Sequence, residues 1–255
     1  FGSAPDVKPY GLLYQWGRKD PFPSAPSLTG NEKTQPVPVY GPDGAEVKIT
    51  YSLWSSVENN TIEYSIASPT KCLSNYAQYN TSRDWLKASD SNDALWGNPK
   101  GGERNSDNNY VNKGSKSFYD PCPVGYRVPP ADVFRTFTTT GGYTQDPSSF
   151  DVVDLNGDGV IDTRDYNYGW SFNMKEGSLF FPAAARYDGS YAMLMGSKSG
   201  LWGSYWGNSP AKSYGATTGL GFCVLAFMNE AAGTSVSATA SAGRADAYSI
   251  RCVKE

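Results

Sequence analysis

The chain has 255 residues, 39% of them hydrophobic and 14% aromatic, with 25 acidic side chains, 22 basic ones and no histidine. A net charge of -3 without any basic run lacks the footprint of a nucleic-acid binder, and no apolar run approaches the roughly 20 residues that span a bilayer. Without histidine, histidine-based catalytic triads and histidine-ligated zinc are excluded.

The chain opens at Phe1-Gly2-Ser3-Ala4-Pro5 and reads as a mature or trimmed fragment. Its 27 glycines, 17 prolines and low charge predict short strands and long ordered loops in one α+β domain over 1–255. Four cysteines fit an oxidising compartment.

Residues 10–20 predict a short aromatic strand that ends at Pro21, followed by a proline-punctuated loop over 21–36. Apolar stretches at 37–40 and 46–50 flank Pro42-Asp43-Gly44 and predict a hairpin. A short helix is expected over 52–57, and Ile62-Glu63-Tyr64-Ser65-Ile66 alternates like a half-buried strand. Residues 75–117 are polar, with Trp85, Leu86, Leu95 and Trp96 spaced as anchors for irregular backbone. In 120–129 three prolines, a glycine, Cys122 and Tyr126 make a backbone nearly fixed before tertiary contacts form. Pro130 suits a first helical position, so a short helix is predicted over 130–138 with Val133, Phe134 and Phe137 inward.

Beyond an acidic loop, 179–182 and 222–228 predict buried strands, the second apolar throughout as a central strand should be. The Gly- and Tyr-rich stretch 183–220 reads as long structured loops. Residues 247–253 close the chain as an alternating strand with Tyr248, Ile250 and Cys252 on one face. The first and last strands are expected in one sheet, with the termini close together.

Several motifs occur in a recognisable order: Tyr14-Gln15-Trp16-Gly17-Arg18-Lys19-Asp20-Pro21-Phe22, Leu95-Trp96-Gly97 and Tyr119-Asp120-Pro121-Cys122-Pro123-Val124-Gly125-Tyr126-Arg127-Val128-Pro129. Then follow Phe181-Pro182-Ala183-Ala184-Ala185-Arg186, Gly203-Ser204-Tyr205-Trp206 and Ile250-Arg251-Cys252-Val253-Lys254-Glu255. Over nearly its whole length the chain resembles the Fibrobacter succinogenes major paralogous domain and its relatives in Bacteroidetes surface lipoproteins and fimbrillin-type pilus proteins. The resemblance implies a secreted or outer-membrane cell-surface domain with a C-type-lectin-like fold and an adhesion role. It also implies a Cys122–Cys252 disulfide, because both cysteines lie inside its motifs. Closing a loop of about 130 residues is worth roughly 4–5 kcal/mol. Cys72 and Cys223 fall outside the motifs, and either pair or remain buried thiols.

The sharpest chemical pattern is Asp154-Leu155-Asn156-Gly157-Asp158-Gly159-Val160-Ile161-Asp162-Thr163-Arg164-Asp165, within an insertion over about 146–170. Oxygen-bearing side chains fall at loop positions 1, 3, 5, 9 and 12, glycine at 6 and an apolar residue at 8, which is EF-hand spacing with Asp at 12 as in dockerin-type loops. A structural Ca²⁺ is therefore expected on Asp154, Asn156, Asp158, the Val160 carbonyl and Asp165. The bland alternative is a solvated acidic turn. No amphipathic helix leads into the loop, so a lone site is expected rather than a sensor pair.

Trp202, Tyr205 and Tyr187 are candidate ligand-binding residues, since sugar rings stack on exposed aromatics. The competing reading puts these rings in the core, as the motif position of Trp206 implies for that residue. Neither Glu-Pro-Asn, Gln-Pro-Asp nor Trp-Asn-Asp is present, so sugar coordination through calcium in the C-type-lectin manner is not expected. No carboxylate pair stands out beyond the calcium set, and no cysteine arrangement matches that of the formylglycine-generating enzymes. The expectation is a non-catalytic, adhesin-like module that binds a glycan or a host protein through loops in 183–220. The alternatives are a structural pilus or envelope subunit and, behind it, an enzyme acting on polysaccharide.

Overall fold

The computed structural model describes residues 11–24, 39–41, 43–47, 50–51, 60–74, 83–87, 92–103, 105–107, 109–190, 193–195, 198–211, 220–231 and 233–255. The helix expected over 52–57, most of the loop over 21–36 and the Cys223 side chain lie outside these.

Strand β1 (Leu12–Gln15) pairs with β2 (Pro21–Pro23), Leu13 opposite Phe22. The prolines therefore join the sheet instead of ending it, because an edge strand need donate from only alternate residues. The expected hairpin forms between β3 (Val39–Tyr40) and β4 (Glu46–Val47). Next, β5 (Thr50–Tyr51) runs parallel to β6 (Lys71–Cys72), with helix α1 (Ile62–Ala67) between them. This helix replaces the strand predicted at 62–66. Thr61 Oγ1 accepts a hydrogen bond from Tyr64 N, and this local cap outweighs the two-residue alternation.

Strand β7 (Tyr126–Arg127) precedes β8 (Tyr143–Thr144). The helix expected between them contracts to one 3-10 turn, Arg135–Phe137, which still buries Phe134 and Phe137. Strands β9 (Gly169–Asn173) and β10 (Ser178–Pro182) form their own antiparallel pair. The stretch read as loops holds β11 (Tyr187–Asp188), β12 (Met193–Leu194) and the nine-residue β13 (Trp202–Pro210). Its glycines and serines weaken strand propensity, but pairing along the apolar neighbour decides the outcome. That neighbour is β14 (Leu220–Glu230), followed by β15 (Gly233–Ser237), β16 (Ala240–Gly243), β17 (Ala247–Ser249) and β18 (Val253–Lys254). The single closing strand expected over 247–253 is thus broken in two.

Among the described residues the chain is mostly sheet with few short helices, an α+β or mainly-β architecture. Its principal sheet runs β12-β11-β17-β13-β14-β15-β8, with β16 on the other half of β14 and β1 on β17. The β1–β17 pairing brings strands near both ends of the chain side by side, as expected. The apolar β14 is central, flanked by β13 on one side and by β15 and β16 on the other.

Each face of this sheet carries its own core. On one, Tyr205, Leu225, Phe227 and Val236 pack into a cluster with Phe137, Trp170, Phe172 and Phe181. Phe137 stacks on Phe172 at 4.2 Å, and Phe181 meets both edge-on. Gly203 is required there: a Cβ would lie 2.2 Å from the Phe227 ring. On the other face Trp206 and Tyr248 join Trp16, Trp85, Leu95 and Trp96. The anchoring role expected of the mid-chain aromatics holds. Trp85 Nε1 donates to Trp16 O (2.7 Å) and Trp96 Nε1 to Tyr119 O (3.1 Å), so each buried ring satisfies its one donor while pinning a loop.

Cys122 and Cys252 are bonded, as the resemblance implies, and β18 pairs with β7 beside them. Buried Asp120 orders this turn, its carboxylate accepting from Cys122 N (2.8 Å) and Val128 N (2.9 Å). Cys72 is a buried free thiol, so it does not pair with Cys223. Among the described residues no helix is long and apolar enough to cross a membrane.

Candidate functional site

Register across four strands builds a trough on the second face of the sheet. Ser204 pairs with Ala226, Ala226 with Ser237 and Ser237 with Tyr143. Directly opposed residues project to the same side, so this row forms one floor. A second row runs Trp202, Met228, Ser235. Farther along, Trp206 and Tyr248 cover the same face, their rings 4.5 Å apart. Where side chains shrink to Ser and Ala the cover stops, leaving an opening of about 320 Å³. The hydroxyls of Ser204, Ser237 and Tyr143 have no hydrogen-bond partner among the described residues. Tyr143 stands 59% exposed at the rim.

The opposite wall carries Arg186, Trp202 and Tyr248. Two cations lie over the Trp202 ring, Lys198 Nζ at 4.6 Å and Arg186 Cζ at 5.3 Å from its centroid, so its π surface is already engaged. Lys198 in turn pairs with Glu230. Arg186 Nη1 donates to Tyr248 Oη (3.2 Å), with Asp188 at 3.5 Å and Asp246 at 4.0 Å. Burial pulls the Arg186 pKa down, but Tyr248, Asp246 and Asp188 outweigh it and the net shift is upward. Burial raises the Asp246 carboxyl above the usual range, against the opposing pull of Arg186 and the Gly189 N–H. Upstream, Ala185 is held at φ 59°, a conformation that costs a side-chain-bearing residue of order 1–3 kcal/mol, with its N–H donating to Trp202 O.

Of the three aromatics predicted to bind ligand, only Trp202 borders this opening. Tyr187 is 0% exposed and donates to Pro23 O, and Tyr205 is 3% exposed and donates to Pro182 O. Both are core residues because β11 and β13 are strands whose alternation turns these rings inward. The residues missed from sequence are Tyr143, Arg186 and the serine row. A usable signal was present in 233–243, where Ser, Thr, Ala and Gly almost fill two strands. So small a set of side chains leaves a sheet face uncovered unless a bulky element lies over it.

In the acidic loop the side-chain oxygens accept hydrogen bonds from backbone N–H groups. Asp154 accepts from Gly157 N (2.6 Å) and Gly159 N (2.7 Å), Asn156 from Asp158 N, and Asp158 from Val160 N. Gly157 and Gly159 have φ of 74° and 80°, which glycine adopts without strain. Buried Asp165 accepts from Leu155 N (2.8 Å) and Asp162 N (3.0 Å), closing the loop through a capped 3-10 turn. Its donor set of carboxylates, an amide oxygen and a carbonyl suits a hard cation such as Ca²⁺. The carboxylates nevertheless face amides, and Arg164 bridges Asp158 (2.8 Å) and Asp162 (2.6 Å). Hydrogen bonding to Arg164 lowers the Asp162 pKa. Among the described residues no three Cys, Asp or Glu side chains gather as a metal-binding group.

No family model, curated protein or solved structure matches this chain.

Proposed function

We propose that this protein is a non-catalytic cell-surface binding module of the C-type-lectin-like group it resembles, and that it holds a saccharide in the trough. One observation carries the reading: a floor of Ser and Ala, rimmed by Tyr143, whose hydroxyls have no protein partner among the described residues. Flat small-residue floors admit a sugar ring, free hydroxyls exchange hydrogen bonds with its own, and an exposed aromatic supplies a stacking face. The Cys122–Cys252 disulfide is in keeping with residence outside the cytoplasm. In this reading the 154–165 loop carries a structural Ca²⁺ on Asp154, Asn156, Asp158, the Val160 carbonyl and Asp165. When bound, the ion would neutralise the carboxylates of the loop and stiffen the insertion.

The test is a glycan array read with the wild type and with Ser237→Trp, which fills the trough from its floor. Binding to one class of glycan, lost in Ser237→Trp, is the expected result. A blank array with the wild type removes the saccharide reading and returns the chain to the structural pilus or envelope role.

A further inference from the structure

We infer that the saccharide in the trough is an acidic one, whose carboxylate is bound by Arg186; the inference rests on the saccharide reading above. Arg186 is the one formally charged side chain among the residues described as lining the opening. A guanidinium has five N–H donors in a planar fork. Among the described residues a single side-chain hydrogen bond is made, from Nη1 to Tyr248 Oη, and Nε is buried without a partner, so the donors left for a ligand are those on Nη1 and Nη2.

The nearby carboxylates hold Arg186 by charge without using up its fork. Asp188 Oδ1 accepts from Ser190 N (2.9 Å). Each oxygen of Asp246 already accepts one hydrogen bond, from Gly189 N (2.7 Å) and Tyr248 Oη (2.9 Å). Neither comes within the 2.7–2.9 Å typical of a charge-assisted hydrogen bond to Arg186. Lys198 offers no rival anion site, because Glu230 pairs with it. The guanidinium is thus oriented, desolvated on one edge and short of acceptors. A ring carboxylate supplies two acceptors in the matching geometry, while the ring's hydroxyls meet Ser204, Ser235 and Ser237.

Calorimetric titration of the whole chain with trigalacturonate, its methyl ester and galactotriose tests this. Trigalacturonate should bind about 10-fold or more tighter than either neutral sugar, the worth of one charge-assisted hydrogen bond. Arg186→Lys keeps the charge but loses the fork and should erase most of that preference, with an unchanged circular dichroism spectrum. Tyr143→Ala should weaken all three sugars alike. Equal affinity for acid and ester overturns the acidic ligand while the saccharide reading stands, and the ester comparison needs no variant to fold. Failure of all three sugars to bind, on a chain that does bind another neutral glycan on the array, also overturns the acidic ligand alone. Failure on both overturns the two readings together.

Discussion

The two faces of the principal sheet are made by the same strands and have opposite fates. Along β14 and β15, Leu225, Phe227 and Val236 turn toward one side and are buried among aromatic rings. The residues between and beside them, Ala226, Ser235 and Ser237, turn to the other side and border open space. Alternation of period two makes this possible, since each side chain is assigned a face by register alone. The difference lies in side-chain volume and in what is laid over each face. Bulky rings exclude water and hold stability, whereas small polar ones leave room for a ligand.

The largest expected effect breaks the layer that covers part of the open face. Cys122 and Cys252 both pack against that layer, and their bond spans 130 residues. Reducing it should cost about 5 kcal/mol by the loop-entropy account, read as a lower urea midpoint. An unchanged midpoint would show that the cover holds without the staple. On the closed face, Phe172→Ala should cost about 3–5 kcal/mol in the same assay, because Phe137 and Phe181 cannot collapse fully into the space. Ser237→Ala on the open face should stay within about 0.5 kcal/mol. Similar costs for the two would erase the distinction between the faces.

Away from both, Cys72 tests burial at the β1–β17 edge of the sheet. Burial pushes its thiol from 9.0 up to about 12. The unfolded chain therefore loses this proton first. The contribution of Cys72 to stability is fully present below pH 9, falls as pH rises and has lost about 4 kcal/mol by pH 12. Cys72→Ala should remove this part of the alkaline decline, leaving that of the buried tyrosines; an unaltered pH profile would deny the burial.

Calcium is expected to act more weakly. About 10 mM Ca²⁺ against a Kd of roughly 10⁻⁴–10⁻³ M should stabilise by about 1.4–2.7 kcal/mol. Asp158→Ala should remove that gain, and a melting temperature indifferent to calcium and chelator would leave the loop a solvated turn.

Much of the frame was legible in the residues. The apolar run at 222–228 identified the central strand, and Trp85, Leu86, Leu95 and Trp96 were legible as anchors because a large ring in a polar stretch has nowhere to go but a core. Of the local readings that failed, two share a cause. Thr61 capped a helix where alternation predicted a strand, and Gly203, Ser204 and Gly207 sat in β13 where composition predicted a loop. In each case a hydrogen-bond partner decided: three residues away for Thr61, and on the neighbouring strand for β13. The candidate site was less legible. Of the predicted aromatics Trp202 borders the opening, whereas Tyr187 and Tyr205 are buried in the core, and Tyr143 and Arg186 were not singled out.

By itself the sequence determined what depends on local chemistry: the rigid turn at 120–129, the absence of histidine chemistry and the apolar strand. Only the tertiary structure decided which face of β13 to β16 is covered. Coverage depends on segments far apart in the chain, with Trp16, Trp206 and Tyr248 reaching one end of a face and nothing among the described residues reaching the other. Ser and Ala read alike in a loop, a tight core or a trough; what lies across from them determines which they form.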